Sequence, residues 1–324
     1  MNREAGVLTD ADIREVGHMA RAISANVEQV ILGKHQVVES CVVALLAGGH
    51  VILEDFPGVG KTLLAKSLAR SIDCHFSRVQ FTPDLLPSDV TGVSIFNQKT
   101  VEFEFRPGPI FANIVLADEI NRASPKTQSS LLECMQERQA TIDNVTYPIS
   151  PPFMVVATQN PIEYEGTFPL PEAQLDRFML QLSLGYPDPE QEAVLLAEQT
   201  QGDPLEDLGP VVSAAQVQDM VHAAMKVGAA PSVRRYLVDL LDATRVHEDL
   251  YLGASPRAGI ALLRAAKAQA LLHERDFVIP QDIKDLAIAV LAHRVILSPD
   301  AKLHGRTAAS VIQALLARTP VPTG

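Results

Sequence analysis

The stretch Val51-Ile52-Leu53-Glu54-Asp55-Phe56-Pro57-Gly58-Val59-Gly60-Lys61-Thr62-Leu63 decides the fold. It opens with a short apolar run of strand type and, from Lys61 onward, takes on helical spacing. A strand that passes through a glycine-bearing loop into a helix is the context a phosphate loop requires. Gly58 and Gly60 let backbone N–H groups turn toward phosphate oxygens, where a side chain would obstruct or strain the turn. A triphosphate is then expected at the positive end of the helix that starts near Lys61. Lys61 supplies charge to the β- and γ-phosphates, and Thr62 offers a hydroxyl to Mg²⁺. A nucleoside triphosphate and Mg²⁺ are therefore the expected ligands. The expected binding segment is Asp55, Pro57, Gly58, Val59, Gly60, Lys61, Thr62 and Leu63, with Thr62 also a metal ligand. The strict pattern G-x-x-x-x-G-K-[ST] has glycine where this chain has Asp55. A carboxylate aimed at a triphosphate repels it, so Asp55 is expected to point away and bond to loop amides. The bland alternative is a glycine-rich turn that binds nothing.

A second strand, Ile114-Val115-Leu116-Ala117, ends in Asp118-Glu119. Adjacent carboxylates at a strand tip are costly if buried without a cation. Mg²⁺ supplies one, so Asp118 is the expected second metal ligand, holding the metal's water shell. Glu119 is expected to polarise the attacking water. Two solvated loop acids are the competing reading. The strand Phe153–Thr158 leads to Gln159-Asn160. An amide at the tip of a central strand can orient the lytic water, which makes Asn160 a candidate, although Asn is also a common turn residue. Arg177, in Leu175-Asp176-Arg177-Phe178, is a candidate to reach the γ-phosphate of a neighbouring copy. Its alternative is a local salt bridge to Asp176 or Glu172. Arg257, in Ser255-Pro256-Arg257, starts a helix with Pro256 at the first position, and is expected to fold over the nucleotide from a lid. Arg122, just beyond Glu119, is a third candidate.

Around these motifs the first half alternates short β-branched runs with helical stretches, the sign of a parallel α/β sheet. Five strands are expected, at 51–54, 76–80, 113–117, 153–158 and 179–184. Helices are expected from Thr9 or Asp10 toward Leu32, over 35–47, and over 124–137 with Ser124 as N-cap. Stretches 91–96 with 101–105, and 140–149 turning at Asp143-Asn144, read as two β-hairpins that project from the framework. After Pro187 the strand signal disappears and helices are expected at 189–199, 213–227, 232–247, 256–274, 280–294 and 303–318, with a loop over 201–210. The expected division is an α/β core over 1–187 and an all-helical domain over 188–324.

Composition bounds the function. The chain has 324 residues, which suggests about two domains at ~150 residues each. A net charge of −12 argues against a nucleic-acid coat protein, since phosphate binding needs concentrated Lys and Arg. Cys41, Cys74 and Cys134 are scattered and read as reduced thiols of a cytoplasmic protein. No signal core follows Met1-Asn2-Arg3-Glu4, and no apolar run approaches the ~18–20 residues of a membrane span. The nine His residues form no His-x-x-x-His pair, and no Gly-x-Ser-x-Gly elbow is present.

With these motifs in this order the chain resembles an AAA+ ATPase of the MoxR family. The resemblance is carried by Arg78–Gly92, Gly108–Ala112, Leu116–Ala123 and Gly166–Phe178, and in the helical half by Val278–Asp282 and Ala292–Arg294. It makes Gly58–Thr62 the Walker A loop, Asp118-Glu119 the Walker B pair, Asn160 sensor 1, Arg177 the arginine finger and Arg257 sensor 2. The two hairpins match the helix-2 insert and the pre-sensor-1 hairpin. The resemblance implies a five-stranded P-loop NTPase core with a helical lid, a homo-oligomer built as a hexamer, and a chaperone-like ATPase that remodels or matures a protein client. It further implies a von Willebrand factor A partner and a role in metal-cofactor insertion. Two other classes use the same machinery: a nucleic-acid motor or loader, and an ATP-gated scaffold with little turnover. The charge and the lack of basic, aromatic-rich tracts oppose the first. Retention of Glu119, Asn160 and Arg177 opposes the second.

Overall fold

A computed structural model describes residues 8–160, 167–198 and 204–322. Met1–Glu4, Gly166, Gln199 and the 201–203 start of the expected loop lie outside them. Five strands form one parallel sheet: β1 (Val51–Glu54), β2 (Phe76–Gln80), β3 (Ile114–Asp118), β4 (Met154–Gln159) and β5 (Leu180–Leu182). Their order is β5-β1-β4-β3-β2. Each lies within a few residues of its expected place, because strands buried on both faces read as uninterrupted apolar runs. Alternation splits them between two cores. Ile52, Val115 and Val155 face the helix Pro125–Glu137 and Phe178, whereas Val51, Leu116 and Val156 face the helices Asp10–Glu28, His35–Leu46 and Lys61–Ser71.

The helix starts follow local chemistry. Thr9 accepts from the Asp12 amide, and Ser124 accepts from the Thr127 amide with Pro125 at the first helical position. Both hairpins are present, Gly92–Asn97 with Glu102–Pro107 and Gln139–Ile142 with Val145–Pro148. The second turns at Asp143 and Asn144, at φ 50° and 65°, the mirror-type turn that matches strand twist. Phe105 of one hairpin stacks on Tyr147 of the other with ring centroids 4.0 Å apart.

Beyond Pro187 the helices are Pro189–Glu198, Ala214–Lys226, Pro231–Arg245, Pro256–Leu272, Pro280–Leu291 and Ala308–Arg318. Two expectations are corrected. The half is not strand-free: Val212–Ser213 pairs with Ile72–Asp73, and Leu250–Leu252 with Ile296–Leu297. Strands of two or three residues are too short to show alternation. The last helix begins at Ala308 rather than 303, because Gly305 at φ 70° ends a separate turn, Pro299–Leu303, and Thr307 caps a new start. Helix Pro256–Leu272 packs on Asp10–Glu28 and His35–Leu46, so one apolar core runs from the sheet into the helical half. No helix among the described residues is long and apolar enough to cross a membrane.

Two buried histidines set an acid limit on this fold. The His50 Nδ1 accepts from the Val155 amide at 2.9 Å, which leaves Nε2–H to donate to the Met135 carbonyl at 3.2 Å. Burial pushes His50 down to about 4. His293 is pushed down to about 3 by burial and then by the Arg294 charge. Unfolded chains regain an ordinary histidine near 6.5, so between there and about 4 the unfolded state binds more protons. Stability is therefore complete above pH 6.5 and expected to fall as pH drops below it, at roughly 1.4 kcal/mol per pH unit for each group. Calorimetric melting between pH 7.5 and 5 checks this; a melting temperature that stays level or rises on acidification contradicts it.

Candidate active site

In a parallel sheet every strand delivers its C-terminal end to the same edge. At that edge lies a cavity of about 370 Å³ lined by Pro57, Gly58, Gly60, Lys61, Thr62, Leu63, Asp118, Glu119, Thr158 and Asn160. The fold thus brings together the phosphate loop after β1, the acids after β3 and the amide after β4. Asn160 stands between the other two, because β4 pairs with both β1 and β3. Gly58 and Gly60 adopt φ 82° and 93°, and a Cβ at either would meet nothing within 4 Å. Glycine is needed there for its backbone angle rather than for space. Gly60 caps the helix Lys61–Ser71, and the Lys61 Nζ donates to the Asp55 carbonyl at 2.5 Å. The Val59 side chain packs instead against the core on the helix side of the sheet.

Asp55 points away from the cavity. Its Oδ2 accepts from the Ser183 hydroxyl at 2.9 Å and the Gly185 amide at 2.6 Å, and its Oδ1 accepts from the Phe56 amide at 2.9 Å. Burial alone would raise this carboxyl. The bonds from Gly185, Ser183, Phe56 and Leu184 outweigh it and hold Asp55 below the usual carboxylate value. Asp55 is therefore a positioning residue, and its grouping with the phosphate-binding residues is corrected. It ties the loop to the chain just after β5, where Phe56 also stacks on Tyr186 with centroids 5.5 Å apart. Asp55→Ala leaves those donors without an acceptor and is expected to cost about 1–3 kcal/mol, read as a melting temperature lower by several degrees. An unchanged melting temperature removes Asp55 from this role.

The acids are held from both sides. Thr158, across the ladder from Asp118, donates to the Asp118 Oδ1 at 2.7 Å and accepts from the Glu119 amide at 2.8 Å. Arg78 reaches the Asp118 Oδ2 at 2.7 Å and the Gln80 Oε1 at 3.0 Å. The Glu119 Oε2 accepts from Gln80 at 2.6 Å and from Arg122 at 2.9 Å. Glu119 itself stands at φ 55° and ψ 50°, a left-handed backbone that costs a non-glycine residue about 1–2 kcal/mol. The segment beyond it maintains that conformation. Buried Gln128 donates to the carbonyls of Ile120, Ala123 and Phe168, and Asn121 donates to the Asn160 carbonyl at 3.4 Å. Sequence reading missed Arg78, Gln80, Thr158 and Gln128 as site residues. Only the polar Thr158 near the end of an apolar strand was a usable signal.

Among the described residues no cluster of three His, Cys, Asp or Glu could hold a metal by itself. The Thr62 hydroxyl and the Asp118 carboxylate, sharing one cavity, are hard oxygen donors of the kind Mg²⁺ takes when phosphate and water complete its shell. The residues fit that ion.

Arg177 and Arg257 do not line this cavity. Arg177 follows the turn Glu172–Leu175 and precedes β5, so it lies at the opposite, N-terminal edge of the sheet. Arg257 is beside it, at the Ser255-capped start of its helix, with its Nη1 3.5 Å from the Asp176 carboxylate. Arg257, expected to fold over the nucleotide from the lid, does not reach the cavity of its own copy, because the lid helix that carries it is packed toward the far edge. The expected alternative for Arg177 is also absent. Asp176 is engaged by Arg294 at 2.7 Å, and no described carboxylate pairs with Arg177.

Residues 50–180 match the ATPase family associated with various cellular activities (AAA), and residues 242–315 match the AAA lid domain. A Bacillus subtilis protein named only as uncharacterized protein YeaC is 52% identical over 297 residues, covering 92% of this chain and 93% of its own. Chaperone MoxR1 of Mycobacterium tuberculosis is 42% identical over 317 residues, covering 95% of this chain and 83% of its own. The crystal structure of a putative ATPase from Cytophaga hutchinsonii superposes with a TM-score of 0.90 at 40% identity, covering 96% of this chain and 97% of that one. Phosphate loop, paired acids, sheet order and helical lid agree with these likenesses, and the chain belongs to the MoxR family of AAA+ ATPases.

Proposed function

We propose that this protein hydrolyses ATP at seams between copies of itself and uses the energy to remodel a protein client. The observation that carries the reading is the division of the machinery between opposite edges of one sheet. Lys61, Thr62, Asp118, Glu119 and Asn160 gather at the C-terminal edge, and Arg177 and Arg257 gather at the N-terminal edge. A four-residue strand at ~3.3 Å per residue separates the two edges, so these arginines serve a neighbour's phosphates better than their own. A head-to-tail contact that repeats this geometry closes into a ring when its rotation allows.

Within one seam the roles follow from position. Lys61 and the loop amides would hold the phosphates, and Thr62 and Asp118 would hold Mg²⁺, which would supply positive charge to the phosphate oxygens. Glu119 polarises the attacking water and Asn160 orients it. Arg177 and Arg257 of the next copy meet the charge that develops as the terminal phosphate leaves. The net charge of −12 favours a protein client over nucleic acid, and the first hairpin, over 92–107, presents Phe96, Val101 and Phe103 to solvent. On the family resemblance the proposal extends to a core over 1–187 with a lid over 188–324, a cytoplasmic hexamer, and a von Willebrand factor A partner. It extends to client maturation that includes metal-cofactor insertion.

The test begins with Lys61→Ala. Losing one charge-assisted phosphate contact is expected to weaken Mg²⁺-ATP binding about 10–100-fold by calorimetry. Equal affinity of the variant and the natural chain overturns the assignment of the site.

A further inference from the structure

The arginine-bearing edge is a cleft of about 270 Å³ that Arg138, Arg177, Arg257, Arg264 and Arg294 line with one carboxylate, Asp176. Arg294 is fully committed: it is buried and bonds Asp176 and the carbonyls of Phe178, Met179 and Val290. The same Asp176 is the partner of Arg257. Among the described residues, no carboxylate forms an ion pair with Arg138, Arg177 or Arg264.

Arg138 and Arg264 come from distant parts of the chain. Arg138 ends the helix Pro125–Glu137 at φ 53°, and Arg264 lies midway along Pro256–Leu272. Their tips converge on Gly48, where a Cβ would stand 3.0 Å from the Arg138 Nη2 and 3.5 Å from the Arg264 Nη2. Each donates one bond to the end of the helix His35–Leu46, Arg138 to the Gly48 carbonyl and Arg264 to the Ala47 carbonyl, both at 2.9 Å. A guanidinium has five N–H donors, so most remain to face the cleft. Burial and then the charge of Arg138 both act against the Arg264 cation. Two like charges gathered in a partly dry cleft raise its free energy until an anion joins them.

We infer that Arg138 and Arg264 are further phosphate-binding residues of the shared site, joining Arg177 and Arg257 on the phosphate chain of ATP held by a neighbouring copy. The inference rests on the seam reading proposed above. Planar guanidinium forks match phosphate oxygens bidentately, and several forks suit a triphosphate better than a single phosphate group. The bonds to Ala47 and Gly48 fix the forks before the anion arrives, which lowers the ordering cost of binding.

The test is Arg138→Gln combined with Arg264→Gln, assayed for phosphate release alone and after mixing with Lys61→Ala. Loss of two charged contacts is expected to lower kcat/KM about 100-fold. Mixing is expected to restore part of it, because a Lys61→Ala copy donates an intact cleft to a double-variant copy that holds ATP. Undiminished activity overturns the inference. So does loss without rescue when light scattering shows mixed assemblies, since that is the signature of two arginines that merely cap a helix within one copy. Arg177→Ala mixed with Lys61→Ala runs in parallel. If it is rescued and the double variant is not, this inference falls and the seam reading stands; if neither is rescued, both fall. Should the double variant melt early, Arg264→Lys keeps the capping charge and loses the fork. It is then expected to lower kcat/KM several-fold with rescue on mixing, and normal activity or absent rescue overturns the inference.

Discussion

Arg177→Ala is expected to lower turnover about 10³-fold, the lower end of what an arginine finger contributes to phosphoryl transfer. Binding of Mg²⁺-ATP to the single chain is expected to stay as it was, because Arg177 does not line the phosphate cavity of its own copy. The side chain is poised rather than committed: Asp176, its immediate neighbour, is held by Arg294 and Arg257. Removing Arg177 therefore breaks no ion pair among the described residues, and a folding defect is not expected to imitate the catalytic one. Mixing the variant with Lys61→Ala is expected to bring turnover back in part. Some seams then join a copy that holds ATP to a copy that still carries the arginine. Phosphate release measured across a mixing series decides the matter. Full activity of Arg177→Ala, or loss without rescue in proven mixed assemblies, overturns the assignment of Arg177 to a neighbour's nucleotide.

Glu119→Gln is expected to slow hydrolysis at least ~100-fold while leaving ATP bound, the usual scale for a lost base or water-positioning group. The substitution keeps size and hydrogen-bonding capacity, so the amide can still meet Gln80 and Arg122, which now hold the carboxylate at 2.6 and 2.9 Å. What it removes is the negative charge that draws a proton from water. The backbone at φ 55° is unchanged in its demands, since glutamine tolerates that region no better than glutamate. Single-turnover phosphate release, run beside calorimetric binding, separates the two effects. Near-normal turnover takes Glu119 out of the reaction, and lost binding makes it a structural residue instead.

These contrasts show where reading the chain succeeds. The phosphate loop is legible because its chemistry is local: Gly58 and Gly60 need their backbone angles, Lys61 needs a helix start, and all lie within one turn of chain. The five strands are legible because a strand covered on both faces cannot alternate. Asp55 is half legible. Electrostatics alone turns its carboxylate away from a triphosphate, but only the folded chain supplies Ser183 and Gly185 as its partners. The short strand Val212–Ser213 is illegible because two residues carry no period, and the last helix starts at Ala308 rather than 303 because Gly305 breaks the chain before the Thr307 cap. A glycine cap is likewise weak evidence until the backbone is seen.

By itself the sequence determined the glycine-bearing loop after β1, the order of the motifs that follow it and the five strands of the parallel sheet, the last of which ends before Pro187. Each depends on spacing along the chain, which backbone geometry converts directly into local structure. Only the tertiary structure decided which side chains meet across strands and which edge of the sheet each arginine occupies. Thr158 reaches Asp118 through the register of β4 on β3, and Gln80 reaches Glu119 through that of β2 on β3. Arg257 stands beside Arg177 because the helical half packs its apolar face onto the N-terminal helices, a choice made by burying surface between segments far apart in sequence.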